Sequence, residues 1–340
     1  MKTLGPKPKI LPIIFVRAIC CMGIVIFHYF CHSKGNFKLF YVTANSSFGF
    51  IFVTSFFCIS GVVLYHNYPK IKSIKSFYFK RWKNIFPSFY TCYIYFFFRI
   101  SLSSHKLVFK GQWYKFLISL IGLDGYLSYK IKTFYLVGDW FLGAIIIIYA
   151  LYPLLLKMIL KTNFIINNIF ICFFYCIMYK THYFIISRKY NIITCITSFY
   201  FGIETIRFRK FYLENKIILI FCFFIWIFLY KIKIQTFIII WQIQGFSLFI
   251  ILFHIGKYIM STKIDKIFME INNISFGIFL FHHRFVFEIL ALNNPTEWYL
   301  HLLLVFMTFL LTIICSKVHL IVVNSIIKSS TFKKLEALFL

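Results

Sequence analysis

Two residues in the first apolar stretch have types and spacing that suit chemistry. Arg17 and His28 bracket ten residues in Arg17-Ala18-Ile19-Cys20-Cys21-Met22-Gly23-Ile24-Val25-Ile26-Phe27-His28. On an α-helix, eleven steps of about 100° return to nearly the same face, roughly 16 Å further along the axis. A proton acceptor and a permanent cation therefore share one polar stripe at two depths. Ionisable residues inside a membrane are costly, and they default to a functional reading. The alternative is that Arg17 snorkels to the headgroups and His28 sits at the opposite interface.

Other chemistry-bearing residues follow along the chain. The segment 67–83 holds Lys70, Lys72, Lys75, Lys80, Arg81 and Lys83 and no acid. Such a cluster is an anion site or an anchor for lipid headgroups. Next comes Trp82-Lys83-Asn84-Ile85-Phe86-Pro87, with Pro87 expected in the first turn of the following helix. Asp139, beside Trp140, can pair with a buried histidine, bind a sugar hydroxyl or face water at the interface. Trp140 itself suits an aromatic belt. Glu204 is expected to pair with Arg207. A late apolar run carries His282, His283, Arg284 and Glu288. Arg284 and Glu288, four apart, can neutralise each other. Adjacent histidines on a helix point about 100° apart, so they make no metal site alone. They can line a polar cavity for a substrate. Ser60-Gly61 reads first as a small-residue packing site.

These residues need elements to position them. The 340-residue chain is 61% hydrophobic and only 14% charged, against about 45–50% and 25% in soluble domains. That composition predicts an all-α integral membrane protein, one helical bundle rather than a string of domains. Ten apolar stretches are long enough to cross, near 10–31, 46–66, 84–104, 137–158, 164–180, 190–206, 215–230, 235–255, 273–291 and 299–323. They form a single transmembrane domain, 1–340. Lys and Arg exceed Asp and Glu by 28. The excess lies mostly in short loops, most densely in 67–83, so orientation explains it and both termini are expected in the cytoplasm. No basic tail or nucleic-acid motif is present, which excludes that partner. The stretch Trp113 to Ile118 looks interfacial rather than spanning. Lys2, Lys7 and Lys9 before the first apolar run imitate a signal peptide, but Arg17 interrupts the run and no cleavage site follows. The ten cysteines form no Cys-x-x-Cys pair and read as small buried hydrophobes, so no metal and no disulfide framework is expected.

In this order the pieces resemble the acyltransferase-3 family of membrane acyltransferases. The carriers are Arg17-x10-His28, Phe56-Phe57-x-x-Ser60-Gly61 and the basic Arg81-to-Pro87 stretch. Trp140-Phe141-Leu142 with Tyr149 and Pro153 comes next, then Ser275-x-x-Ile278-x-Leu280-x-His282. Each motif alone is weak, and the ordered set, spanning 17 to 283, is more specific. The resemblance implies a multi-pass enzyme of the bacterial inner membrane that O-acylates glycans, usually with acetyl from acetyl-CoA. In the family the arginine–histidine pair of the first helix is the functional signature, and it falls on Arg17 and His28. The basic stretch usually reads Arg-x-x-Arg. Here Arg81 fills the first place, Asn84 the second, and Lys83 can supply the missing charge. Many members carry a glutamate after the tryptophan motif, where this chain has Gly143-Ala144-Ile145.

The expected chemistry is direct acyl transfer with no permanently bound cofactor. His28 takes the proton of a sugar hydroxyl as it attacks the thioester. Arg17 is its electrostatic partner toward the donor. Lys80, Arg81 and Lys83 meet the phosphates of acetyl-CoA on the cytoplasmic side. His282, His283, Asp139 and Trp140 line the acceptor or acyl cavity. The partners are then acetyl-CoA, a glycan hydroxyl and the lipid bilayer. A polysaccharide transporter or flippase without acyl transfer is the second hypothesis, and a non-catalytic scaffold the third. Thioester consumption separates the first two.

Overall fold

Ser73 starts a long helix by accepting a hydrogen bond from the Ser76 N–H at 3.2 Å. This cap lies well before the apolar stretch expected to begin at 84. The basic residues Lys75, Lys80, Arg81 and Lys83 therefore stand on a helix rather than in a loop. Pro87 falls in its interior instead of its first turn. Thr91 Oγ1 donates to the Pro87 carbonyl at 2.9 Å in that region.

The structure, a computed structural model, describes residues 8–34, 47–106, 112–131, 133–134, 136–180, 186–231 and 238–339. Lys2 and Lys7, and residues 235–237 of the eighth expected span, lie outside them. Every regular element among the described residues is helical. In order they are α1 (Leu11–His32), α2 (Ser47–Asn67), α3 (Ile74–Ser104), a 3-10 turn (Trp113–Lys115), α4 (Phe116–Leu120) and α5 (Asp124–Leu127). Next come α6 (Asp139–Lys161), α7 (Phe164–Lys180), α8 (Ile192–Arg207), α9 (Arg209–Tyr212) and α10 (Lys216–Lys231). The last are α11 (Ile238–Ile259), α12 (Asp265–Leu292), α13 (Trp298–Lys328) and α14 (Ser330–Phe339).

Six of these helices are long and apolar enough to cross a membrane: α1, α2 over Phe48–Asn67, α6, α11, α12 and α13. Helices α7 and α10, over Phe164–Lys180 and Lys216–Leu229, are apolar but shorter. At 1.5 Å per residue such helices reach roughly 21–25 Å, against a hydrocarbon core of about 30 Å. The chain is an all-α, multi-helix, membrane-spanning protein. Helix α13 shows the physics. Its polar residues His301, Thr308, Thr312, Ser316 and His319 face inward. Leu303, Phe306, Leu310, Ile314 and Val318 are exposed. Thr308, Thr312 and Ser316 each donate to the carbonyl one turn back. Polar groups turned in and satisfied locally, with apolar groups turned out, suit a helix whose surroundings are hydrocarbon.

Contacts divide the chain into two units. The first draws its described residues from Met1–Cys31, Asn36–Pro69 and Cys195–Ser275. Within it α2 meets α8 through glycines. A Cβ on Gly61 would collide with the Phe199 carbonyl oxygen, and one on Gly202 with that of Cys58. The packing expected of Ser60-Gly61 is thus a backbone-on-backbone approach. Ser55 Oγ to the Gly245 carbonyl (3.1 Å) and Gln242 to Ser198 (2.9 Å) tie α2, α8 and α11 with buried hydrogen bonds. Glu204 pairs with Arg207 at 2.6 Å, as its spacing predicts.

The second unit draws on His32–Gly35, Lys70–Thr194 and Phe276–Leu340. Helix α14 docks on α3 through stacked rings, Phe79 on Phe339 (4.8 Å) and Trp82 on Phe332 (6.0 Å). Trp113, Tyr114 and Leu117 are exposed on short helical turns, consistent with an interfacial segment. All ten cysteines are free. Cys31, Cys172 and Cys176 are exposed rather than buried, because they lie on helix faces turned away from the protein interior.

Candidate functional site

The α1 stripe lies in the first unit. Arg17 and His28 are both half-buried on one helix, eleven positions and roughly 16 Å of axis apart. Arg17 Nη1 donates to Asn272 Oδ1 at 3.0 Å. One turn along, the Cys21 thiol donates to the Ser275 carbonyl at 3.7 Å. Phe15 packs edge-on against Phe268 at 4.8 Å. These three contacts lay the stripe along the first turns of α12. Asn272 is a partner that reading the sequence missed; the polar Asn272-Asn273 pair opening an apolar run was the available signal. The His28 ring meets Phe27 edge-on at 5.1 Å.

In the second unit, Asp139 opens α6 in a conformation side chains rarely adopt, with φ +35°. Gly138 before it has φ +96°. The Asp139 carboxylate accepts from its neighbour's N–H, Trp140, at 2.7 Å. His282 is close enough to Asp139 to interact with it electrostatically. Trp140 packs on Tyr190 with ring centroids 4.6 Å apart.

A cavity of about 150 Å³ is walled by Leu136, Val137, Gly138 and Asp139 on one side. Phe279, Leu280, His283, Arg284 and Phe287 of α12 form the other. His283 and Asp139 therefore line it. His282 is buried behind the wall, 2% exposed. Its Nδ1 faces the Ile278 and Phe279 carbonyls at 3.0 and 2.9 Å. Carbonyls only accept, so Nδ1 carries the proton and Nε2 is the basic nitrogen of the neutral ring.

Arg284 was expected to neutralise Glu288. Instead Glu288 pairs with Arg99 at 2.9 Å, and Arg284 Nε donates to the Leu136 carbonyl at 2.7 Å. The reason is competition: Arg99, a second cation within an apolar segment, takes Glu288. Arg284 then lines the cavity, a role the sequence reading did not give it.

The basic stretch separates into three environments. Lys80 is exposed on α3. Arg81 sits over the rings of Phe77 (5.9 Å) and Tyr149 (5.8 Å). Lys83 pairs with Glu336 of α14 at 2.6 Å. A carboxylate thus already holds the lysine expected to replace the missing second arginine.

With this geometry in place, comparison with known proteins adds one finding. A family model described as an acyltransferase domain matches residues 12–317, most of the chain. No curated protein and no solved structure matches it.

Proposed function

The chain belongs to the acyltransferase-3 family of membrane acyltransferases, and from that premise we propose that it transfers an acetyl group from acetyl-CoA to a hydroxyl of a cell-surface or lipid-linked polysaccharide. The observation that carries this reading is the extent of the family match. It runs unbroken from before Arg17 to beyond His282, through the α1 stripe and the cavity-lining turns of α12. The proposed setting is a bacterial inner membrane, crossed about ten times, with both termini cytoplasmic. The basic bias of 67–83 supports that orientation.

In this mechanism the acceptor oxygen attacks the thioester carbonyl carbon and the carbon–sulfur bond breaks. His28 takes the hydroxyl proton and returns it to the departing CoA thiolate. Arg17, steadied by Asn272, contacts the phosphate or pantetheine part of the donor. Lys80 and Arg81 meet donor phosphates, and Lys83 joins them when Glu336 releases it. His282, His283, Asp139 and Trp140 shape the acceptor or acyl cavity.

The test uses the purified full chain in nanodiscs with acetyl-CoA and the glycan of its own host. Free CoA should appear while the glycan gains the mass of an acetyl group, and His28→Ala should stop both without preventing insertion. A glycan that crosses the bilayer with no thioester consumed would make the chain a transporter.

A further inference from the structure

Helix α14 packs on the start of α3 with one face and leaves the other open. Phe332 and Phe339 stack on Trp82 and Phe79, and Glu336, on the same face, pairs with Lys83. Lys75 ties down the far end of α14, donating to the Leu338 carbonyl at 2.8 Å. At about 100° per residue, Lys333 and Lys334 then fall on the face turned away from α3, and both are exposed. Leu335 and Leu338, 37% and 69% exposed, edge that face. Residues 70–83 and 328–339 together contain nine cations and one acid, and Lys83 already holds that acid, Glu336. Helix α13 is long and apolar enough to cross a membrane and ends at Lys328. Ser329, with extended backbone at φ −60° and ψ 152°, breaks the helix before α14 starts. Helix α14 therefore begins where a spanning helix leaves the hydrocarbon. A short helix with lysines and leucines at such a place meets headgroup phosphates with its cations and the acyl boundary with its apolar edge.

We propose that the open face of α14, with the exposed Lys328 beside it, is a docking surface for anionic phospholipid headgroups. Lys333 and Lys334 meet the phosphates, and Leu335 and Leu338 enter the interface. Charge and apolar edge together select this occupant: a soluble phosphate would use the lysines and leave the leucines in water. Lys80, Arg81 and Lys83, assigned to the acyl donor, take no part. The proposal goes beyond the acyltransferase reading and holds whether or not a thioester is consumed.

The experiment is native mass spectrometry on the full chain in detergent, titrated with dioleoyl phosphatidylglycerol, dioleoyl phosphatidylcholine or glycerol 3-phosphate. Phosphatidylglycerol should bind at least about tenfold more tightly than phosphatidylcholine. The double variant Lys333→Gln/Lys334→Gln should weaken phosphatidylglycerol about fivefold or more, since one lysine near an anionic surface is worth about that factor. Lys333→Arg/Lys334→Arg should keep most of the affinity, because the charge survives. The contacts that dock α14 come from Phe332, Glu336, Leu338 and Phe339, so these variants change charge and leave the docking in place. Lys263→Gln/Lys266→Gln, an exposed pair in the first unit, removes the same charge elsewhere and should change the affinity by less than about twofold. Equal affinity for the two lipids overturns the proposal. So does phosphatidylglycerol binding that the α14 double variant leaves intact, or that the first-unit pair weakens as much. Glycerol 3-phosphate bound as tightly as phosphatidylglycerol would make the face a site for soluble phosphates and would also overturn it.

Discussion

The α1 stripe and the α6–α12 cavity are built by opposite means. The stripe is regular: one uninterrupted helix sets the spacing of Arg17 and His28, and its contacts with α12 repeat one turn apart at Asn272 and Ser275. The cavity is irregular. Gly138 and Asp139 both have positive φ, and Arg284 is oriented by a main-chain carbonyl outside any helix. Regular geometry keeps two groups at a set distance across a bilayer. Irregular backbone turns a carboxylate and a guanidinium into a small space, and local strain of this kind gathers at functional sites. The two regions should therefore fail differently.

The largest expected effect is in the stripe. His28→Gln should lower turnover by about 10²–10⁴-fold, the usual loss with a general base, and spare acetyl-CoA binding. Arg17→Ala should instead raise the apparent KM for acetyl-CoA, with Arg17→Lys restoring part of it because charge survives and the planar fork does not. Steady-state kinetics on the purified variants reads both. If the two variants lose the same parameter, the stripe acts as a unit and the division of labour between its ends is wrong.

Next in size is the packing of the first unit. Gly61→Val places side-chain carbon where the Phe199 carbonyl stands, and backbone cannot step aside. A loss of about 1–3 kcal/mol is expected for such overpacking, seen as a lower Tm in detergent. Gly277→Ala is the control from the second unit. Its Cβ would meet the Ser316 Cβ at 2.9 Å, a milder overlap than the one with the Phe199 carbonyl at Gly61. A loss as large as that at Gly61 would show that α12 and α13 are as rigid as α2 and α8.

Smaller again is the effect of straightening the cavity's irregular backbone. Gly138→Ala puts a Cβ on a residue with φ +96°, at roughly 1–2 kcal/mol, the cost of left-handed backbone for an L-residue. Because Asp139 follows directly, the acceptor KM should rise while the donor KM holds. Unchanged acceptor kinetics would separate the positive-φ pair from acceptor binding.

The same contrast decides what the sequence could tell. Helical periodicity carries Arg17 and His28 to one face without knowledge of any neighbour, so the stripe was legible from spacing alone. So was the close approach at Gly61, since a small-residue pair in an apolar helix has few other uses. Arg284 was misread because residues four apart on a helix are only candidates for pairing. Glu288 had a second suitor in Arg99, and tertiary structure chose between them. The start of α3 was misplaced because hydropathy marks where a segment becomes apolar, whereas Ser73 begins the helix by capping it. The positive φ of Asp139 leaves no mark in composition.

The smallest effect concerns the donor side, where α14 lies over the basic stretch of α3. Lys83 and Glu336 are each about one-quarter exposed and their charged atoms are 2.6 Å apart. Lys75 is tied to the same helix, donating to the Leu338 carbonyl at 2.8 Å with its ammonium over Phe339. If Lys83 meets a donor phosphate, Glu336 competes with acetyl-CoA for it. Ion pairs this accessible to solvent are worth roughly 0.2–1 kcal/mol. Glu336→Gln should then lower the acetyl-CoA KM by a factor of about 1.5 to 5, since 1.4 kcal/mol is tenfold. Lys83→Ala should raise it. The stacked rings of Phe332 and Phe339 keep α14 docked in the Glu336→Gln protein, so the change reports charge rather than loss of the helix. Added salt should shrink the difference, because screening weakens the pair. A donor KM that rises in Glu336→Gln would mean that the carboxylate steadies Lys83 for its ligand instead of withholding it. A donor KM unmoved by either variant would leave Lys80 and Arg81 as the cations of α3 that meet the donor.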